Sequence, residues 1–491
     1  MRLSVRTLKL LSLTFLILPV FVFFMFWVKL FIALPVIVLL LFSIYKYNKS
    51  LFDEEEIDFS KAQFFILLGL VVLWVSMSGI GGFGIKLHDQ FKVYSLSKDI
   101  MENSWPVLYI HEGKEYILSS YLGYFISAPV LVGWLSYDMV NGFLFFYGVL
   151  GVFLGLVWLA IISGNRTAFV FVVFVLAGGF DIAGYLYQNG VSELLKGNWP
   201  QFYWWNSLKN EEFLLYHGNT NLLFWAAPHA IPCWVASGLF FYDLIKKQDL
   251  TRSPLYLFPL VFWTPFILVG LFPYFCFLLL KKGLKDYLRI ENFTIIPAFL
   301  LLIWFVTSVE VTEFDKGFLL WPVLSKMSLI ESFFRYAWFV FFEVVVWLIF
   351  IYFSFKNADF LSKNKQWFWV MAMVLLVIPL YRFGKYNDWV QRVSMPSLYL
   401  LWAFLLASLA QIKRIGHRLI FILLLIISAA DSLVYLRNSF VSNGLSFNYS
   451  PIPFEEIKSI PQYAEENGWP IEQYMAPADA SFFKYIARQP N

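Results

Sequence analysis

Apolar stretches long enough to cross a bilayer, or nearly so, follow one another along the chain. They lie at 10–28, 30–45, 63–82, 119–136, 141–161, 168–186, 219–243, 254–280, 292–310, 331–355, 367–383, 394–411 and 419–436. About 20 apolar residues, rising 1.5 Å each, span the hydrocarbon core of a membrane. Pro and Gly inside several of these runs are compatible with spanning helices, whose neighbours re-satisfy the freed backbone groups. The pattern predicts an all-α polytopic membrane protein, a bundle of about thirteen transmembrane helices with loops on its outer face. No repeat of 20–50 residues is visible, and no stretch reads as an independent soluble domain. The expected division is a transmembrane domain over 1–436 and an extracytoplasmic tail over 437–491. That tail has six Pro and mixed charge, and reads as a small appended cap.

Composition sharpens this picture. The chain is 60% hydrophobic and 14% charged, against about 25% charged residues in soluble domains. So much apolar surface has lipid as its solvent. The 21% aromatic content, with 20 Trp and 27 Tyr, suits many membrane–water boundaries, where amphipathic rings settle. A net charge of +4 over 491 residues gives no ground for a nucleic-acid partner. Cys233 and Cys276 both sit in apolar runs, so neither a disulfide framework nor a cysteine metal site is expected. Arg2, Arg6 and Lys9 precede the first apolar run as they do in a signal peptide. Bulky residues at 21–27 replace a small-residue cleavage site, so an uncleaved first helix starting in the cytoplasm is expected.

Orientation follows from the basic connectors at 246–252, 281–289, 356–365 and 413–418, which belong in the cytoplasm. Loops 83–118, 187–218, 311–330 and 384–393, and the tail, then lie outside. Two readings of the middle remain open. In one, 119–136 crosses and 254–280 is a single long helix, which leaves Lys246, Lys247 and Arg252 outside. In the other, 119–136 is re-entrant and 254–280 is a tight hairpin broken near Pro265, which keeps every basic loop inside and is preferred. Both readings place the N-terminus in the cytoplasm and the C-terminus outside.

Ionisable groups in or beside lipid are costly, so each is a functional candidate. His88 and Asp89 follow the helix at 63–82 and reach the membrane surface, where a partly desolvated carboxylate has the makings of a general base. In the bland alternative they are solvated loop charges. The segment 382–396 carries Arg382, Lys385 and Arg392 with Asn387, Asp388 and Gln391 between two apolar runs. Arg forks and a Lys point charge suit the phosphate oxygens of an anionic lipid, although such residues also serve as plain interfacial anchors. Asp181, within a Gly-rich stretch, and His229, between Pro228 and Pro232, are polar groups inside apolar runs. A structural contact between helices explains them as well as a substrate contact does. Glu310, Glu313, Arg335 and Glu343 are candidates for pairing across helices. The acidic run at 53–56 reads as a solvated stretch. No phosphate-loop or HExxH signature is present, which removes an in-chain ATPase or zincin.

Taken together these segments resemble the bacterial GT-C class of membrane glycosyltransferases. The resemblance rests on the His88-Asp89-Gln90 run followed by Asn103-Ser-Trp-Pro106, on the segments 121–129 and 225–232, on Trp263-Thr-Pro-Phe266, and on 387–396. It covers about 60–410 through loose motifs. It implies a bacterial inner-membrane protein with a polyprenyl-phosphate sugar as donor. Transfer would go to a glycolipid or polysaccharide acceptor on the outer face, with no nucleotide sugar at the site. In that class an acidic residue of the first outer loop acts as base, and Asp89 holds the matching position. Attack opposite the departing lipid phosphate inverts the anomeric centre, and Lys385 and Arg392, with Arg382, are the cations placed to stabilise that phosphate. His88, Asp181, His229, Asn387 and Asp388 complete the candidate substrate pocket. The aromatic run at 199–205 offers rings for stacking on a sugar. Two departures stand out. The two helices before residue 46 are additional, and Asp89 follows a His where another carboxylate is the pattern, which leaves a divalent cation an open question. A transporter or flippase of a lipid-linked or anionic solute would use the same intramembrane charges. An O-antigen-type polymerase or ligase would share the donor chemistry.

Overall fold

The computed structural model describes residues 2–51, 56–119, 122–195, 214–309, 316–324, 326–355, 358–384, 386–411, 414–443, 449–468 and 474–489. Lys385, Glu310, Glu313, the aromatic run at 199–205 and the acidic residues 53–55 lie outside the described residues. The described chain is mostly helical. By length and composition, seven of its helices can cross a membrane, or eight if one pair bent by 51° counts as a single span. Three small sheets accompany the helices.

The chain shuttles between two faces. Strand β1 (Arg2–Ser4) leads into α1 (Val5–Phe26), where Ser4 accepts the Thr7 N–H as an N-cap. Helix α2 (Leu30–Ser50) returns beside α1, and β2 (Glu56–Asp58) pairs antiparallel with β1. Helix α3 (Lys61–Ser76) ends at a glycine turn before α4 (His88–Glu102), the hairpin β3 (Leu108–His111) and β4 (Lys114–Leu118). The stretch 119–136 holds the six-residue α5 (Ser127–Val132). Its two ends meet the same tail: Leu118 pairs with Met475, and the Tyr137 ring lies 5.2 Å from that of Phe454. This stretch therefore enters and leaves on one face.

Helix α6 (Tyr137–Ser163) runs through the middle of the bundle. It is followed by α7 (Thr167–Leu176), α8 (Asp181–Leu195), α9 (Asn219–Trp225) and α10 (Ala227–Tyr242). Next come α11 (Pro254–Leu257) and α12 (Leu260–Trp263), then Thr264 in extended conformation, then α13 (Pro265–Lys282). Pro265 cannot donate a helical hydrogen bond, and the residue before a proline is pushed out of the helical region. The Lys282 ammonium donates to the Gln248 carbonyl, and Asn292 Nδ2 donates to Thr251 O at 2.7 Å. Both limbs of 254–282 thus open to the same face, as a hairpin broken at Thr264.

The remainder comprises α14 (Ile290–Phe293), α15 (Ile296–Val306), β5 (Lys316–Phe318) and α16 (Leu320–Leu324), then α17 (Leu329–Val340), which continues through a π turn at 341–345 into α18 (Val346–Phe355). After α19 (Asp359–Lys363) and α20 (Lys365–Val377), β6 (Tyr381–Phe383) pairs with β5. The chain ends with α21 (Met395–Leu409), α22 (Ile415–Ser428), α23 (Ala430–Asn443), α24 (Ile460–Glu466), β7 (Met475–Pro477) and α25 (Ser481–Tyr485).

One face gathers the basic connectors. Lys9 meets Asp243 at 2.8 Å, Arg6 donates to Asn48, Lys281 donates to Gln366, and Arg252 faces Glu291 at 3.8 Å. The opposite face carries a cap in which the tail folds back on the first large loop. Strand β7 adds to β4, Phe83 bridges Tyr449, Ser439 Oγ donates to Met77 O, and Lys98 Nζ donates to Ile457 O. Asp99 ties the cap together. It accepts from Tyr109 Oη at 2.7 Å and from the Ile460 N–H at 2.8 Å, and burial pushes its carboxyl up to about 6.

The core depends on close approach of α6 and α10. A Cβ on Gly151 would lie 2.3 Å from Ile231, one on Gly155 would lie 2.8 Å from Trp234, and one on Gly238 would lie 2.5 Å from Trp158. Small residues let helix backbones approach where lipid supplies no hydrophobic drive between helices. Trp158, placed this way, finds a polar partner, its Nε1 donating to Ser12 Oγ, and on α12 Trp263 Nε1 donates to Leu16 O.

Candidate functional site

The cap-side ends of the helices meet around α9, whose position follows from a backbone need. Helix α7 stops at Leu176, leaving its last carbonyls without helical partners. Asn219 Nδ2 donates to Phe174 O at 2.9 Å, and Thr220 Oγ1 donates to Val175 O at 2.7 Å. Side chains of α9 therefore close the broken end of α7, the usual remedy for interrupted helices in lipid.

On one flank of α9 lies the turn 381–393. Strand β6 seats Arg382 opposite Gly317 and buries it. Asn387 adopts a left-handed conformation (φ 53°), with its N–H donating to Gly384 O at 3.0 Å, and this reverses the chain. The following π turn at 389–393 sets Arg392 against Asp388 at 2.9 Å and above the Phe266 ring. The Asn387 side chain is fully buried, and neither its Oδ1 nor its Nδ2 has a hydrogen-bond partner among the described residues. Leaving such an amide unpaired costs about 1–3 kcal/mol, so this turn is built with unused hydrogen-bonding capacity. Gln391 Oε1 meets His217 Nε2 at 3.0 Å. Burial holds the His217 imidazole down to about 4, with the nearby Arg392 charge acting in the same direction, so it is neutral near pH 7. Arg392 and Lys92 both lie within electrostatic range of His229, in the first turn of α10. Beside the turn, a side-opening apolar groove of about 450 Å³ is lined by Val269, Met373, Val377, Tyr381, Trp389 and Val393.

On the other flank, Asp181 begins α8 and hydrogen-bonds Glu343 of the π turn between α17 and α18, with Asp431 of α23 in electrostatic range. Asn221 Nδ2 donates to Asp431 Oδ2 at 3.2 Å. The Glu343 carboxylate rests against Gly179, where an added Cβ would lie 1.7 Å from Oε2. Trp347 Nε1 anchors the same stretch through Gly178 O at 2.9 Å. The α7–α8 break, the 341–345 π turn and the α22–α23 bend all meet here. Among the described residues no set of three His, Cys, Asp or Glu side chains has metal-binding geometry.

The structure thus gathers Arg392, Asp388 and Asn387 in one turn near His229, with Arg382 on its incoming strand. It puts Asp181 elsewhere, with Glu343. His88 and Asp89 form the first turn of α4, and nothing is described of their side chains. The next residue, Gln90, donates to Ser78 O and Phe224 O, which docks this turn onto α9. His217, Asn221 and Asp431 were not singled out by pattern. The polar run Gly218-Asn-Thr-Asn221 ahead of an apolar helix was the available signal for part of this set.

Fold and site together define a polytopic helical membrane protein whose buried polar side chains gather at the capped ends of its helices. The chain matches no known protein family, no characterised sequence and no solved structure.

Proposed function

We propose that this protein is a membrane glycosyltransferase that moves a sugar from a polyprenyl-phosphate donor to a glycolipid or polysaccharide acceptor. In this reading the basic face is cytoplasmic and the capped face extracytoplasmic, in a bacterial inner membrane. The observation that carries it is the turn 381–393. Arg392 and the Asn387 amide, which has no hydrogen-bond partner among the described residues, belong to the same turn whose Tyr381, Trp389 and Val393 line the apolar groove of about 450 Å³. A phosphate headgroup and its isoprenoid chain need that pairing of a charge-assisted, hydrogen-bonding end with an apolar slot. Asp89, one residue before the docked Gln90, is the proposed base. It takes the proton of an acceptor hydroxyl as that oxygen bonds to the anomeric carbon and the bond to the lipid phosphate breaks. The phosphate leaves with the electron pair, stabilised by Arg392 with Lys385 and Arg382.

The test is transfer of labelled sugar from polyprenyl phosphate by the purified protein. Asp89→Asn keeps size but cannot take the proton, and is expected to lower kcat by about 10²–10⁴-fold. Arg392→Ala is expected to raise KM and lower kcat together. Near-normal transfer by the Asn variant removes Asp89 from the mechanism. A second reading, a transporter, is favoured by the buried Asp181–Glu343–Asp431 group at three helix interruptions. Absence of transfer by the wild type, with movement of the lipid-linked substrate across vesicles intact, decides for that reading.

A further inference from the structure

We propose a second anion site on the basic face, for a phosphate-bearing group, at the cavity of about 520 Å³ between the α6–α7 turn and the end of α10. Its polar lining is Gln63, Asn165, Arg166, Tyr242, Lys246 and Lys247. This site stands apart from the glycosyltransferase reading, because it lies at the opposite end of the bundle from Arg392.

Three features converge on the cavity. First, α7 opens onto it with Arg166 at the N-cap position, and the first helical bond is the Val170 N–H to Arg166 O. The N–H groups of residues 167–169 precede that bond and carry the positive end of the helix dipole. Second, α10 ends in a π turn at 243–247 that closes at Gln248 in a left-handed conformation (φ 52°) and delivers Lys246 and Lys247 to the lining. Asp243, at the head of that turn, meets Lys9 at 2.8 Å and accepts from Tyr256 Oη at 3.0 Å. Third, Arg166 is solvent-exposed and makes no hydrogen bond or ion pair to the described residues.

The positive-inside tendency explains cations in these connectors but not their focus on a concavity. An Arg fork, two Lys point charges and a helix N-terminus are the recognition set for phosphate oxygens. Asn165 holds the α6–α7 turn in place by donating to Ser163 O and Leu406 O. Ile57 and Ile161 add an apolar wall. The phosphate can belong to an anionic phospholipid headgroup or to a soluble phosphate, and the chemistry of recognition is shared.

The experiment uses the full chain in nanodiscs. One arm counts phosphatidylglycerol retained by native mass spectrometry after exchange into phosphatidylcholine. The other titrates inorganic pyrophosphate calorimetrically in phosphatidylcholine discs. Binding in the first arm identifies a lipid headgroup, and binding in the second a soluble phosphate. In whichever arm binds, Arg166→Gln combined with Lys247→Gln is expected to weaken binding about tenfold or more, the scale of one or two charge-assisted hydrogen bonds. Lys246→Gln, at an exposed position, is a milder second variant expected to act in the same direction. Lys114→Gln, at an exposed position on the capped face, is expected to leave this binding unchanged. Absence of binding in both arms overturns the proposal, as does equal binding by the double variant. Binding that appears only after Asp53, Glu54 and Glu55 are neutralised to their amides also overturns it, because the chain's own acids then occupy the cavity.

Discussion

Helices α2 and α6 are both strongly apolar over more than 20 residues, yet 28% of an apolar 18-residue stretch of α2 is buried against 83% in α6. Hydropathy does not separate them, since lipid and protein interior are equally good solvents for Leu and Phe. Glycine placement does. Gly151 and Gly155 leave a ridge-free strip on α6 against Ile231 and Trp234 of α10, whereas α2 has no glycine and presents Leu34 and Val38 outward. The lesson is that in a membrane the interior position is chosen by how closely backbones can approach.

The sharpest way to break this comparison is Gly155→Leu. Its side chain would overlap Trp234, and overpacking of this kind costs about 1–3 kcal/mol or more. The expected outcome is loss of the monodisperse folded species in detergent, read by size-exclusion chromatography and thermal unfolding; unchanged Tm would refute the glycine argument. Gly179→Ala is expected to act next most strongly, at about 1–3 kcal/mol, because it drives the Glu343 carboxylate off its seat. Gly179→Ala with Glu343→Ala should recover much of that loss, and a double-mutant cycle measures the coupling.

The cap, which faces water, obeys a different rule, and pH probes it. The folded carboxyl of Asp99 sits at about 6 against an ordinary value of 3.8. The folded state therefore holds its proton more tightly, and stability rises as pH falls from about 6 to about 4, by on the order of 2 kcal/mol. Limited proteolysis of the tail should slow over that window, and Asp99→Asn should flatten the profile. His217 runs the other way. With its folded value near 4, stability is lost as pH falls below about 6.5. Gln391→Ala should alter that loss without changing the Asp99 window. The smallest effect is expected for Val38→Ala on α2, within about 0.5 kcal/mol by thermal unfolding, since Val38 is 62% exposed to the lipid side.

The architecture was partly legible. The basic connectors and the Thr264-Pro265 break could be read locally, because charge counting and proline stereochemistry need no tertiary information. The turn at 381–393 was visible as a polar island between apolar runs. The partnership of Asp431 with Asn221 was not, since 210 positions separate them. Asp181 was noticed alone, but its grouping with Glu343 appears only when a π turn and a glycine bring two helices together. The sheet joining β4 to β7 links the first large loop to the tail, and neither strand has enough alternating residues to announce itself.

By itself, the sequence determined that this chain lives in a membrane, where its apolar runs lie and which connectors carry the positive charge. These are sums over neighbouring residues, and transfer free energies add locally. Only the tertiary structure decided which helices are central, that the tail closes over the first loop, and which charges are brought together. Those outcomes depend on fits between distant segments. A glycine facing a tryptophan, or a carboxylate facing a glycine, has no counterpart in any single stretch of sequence.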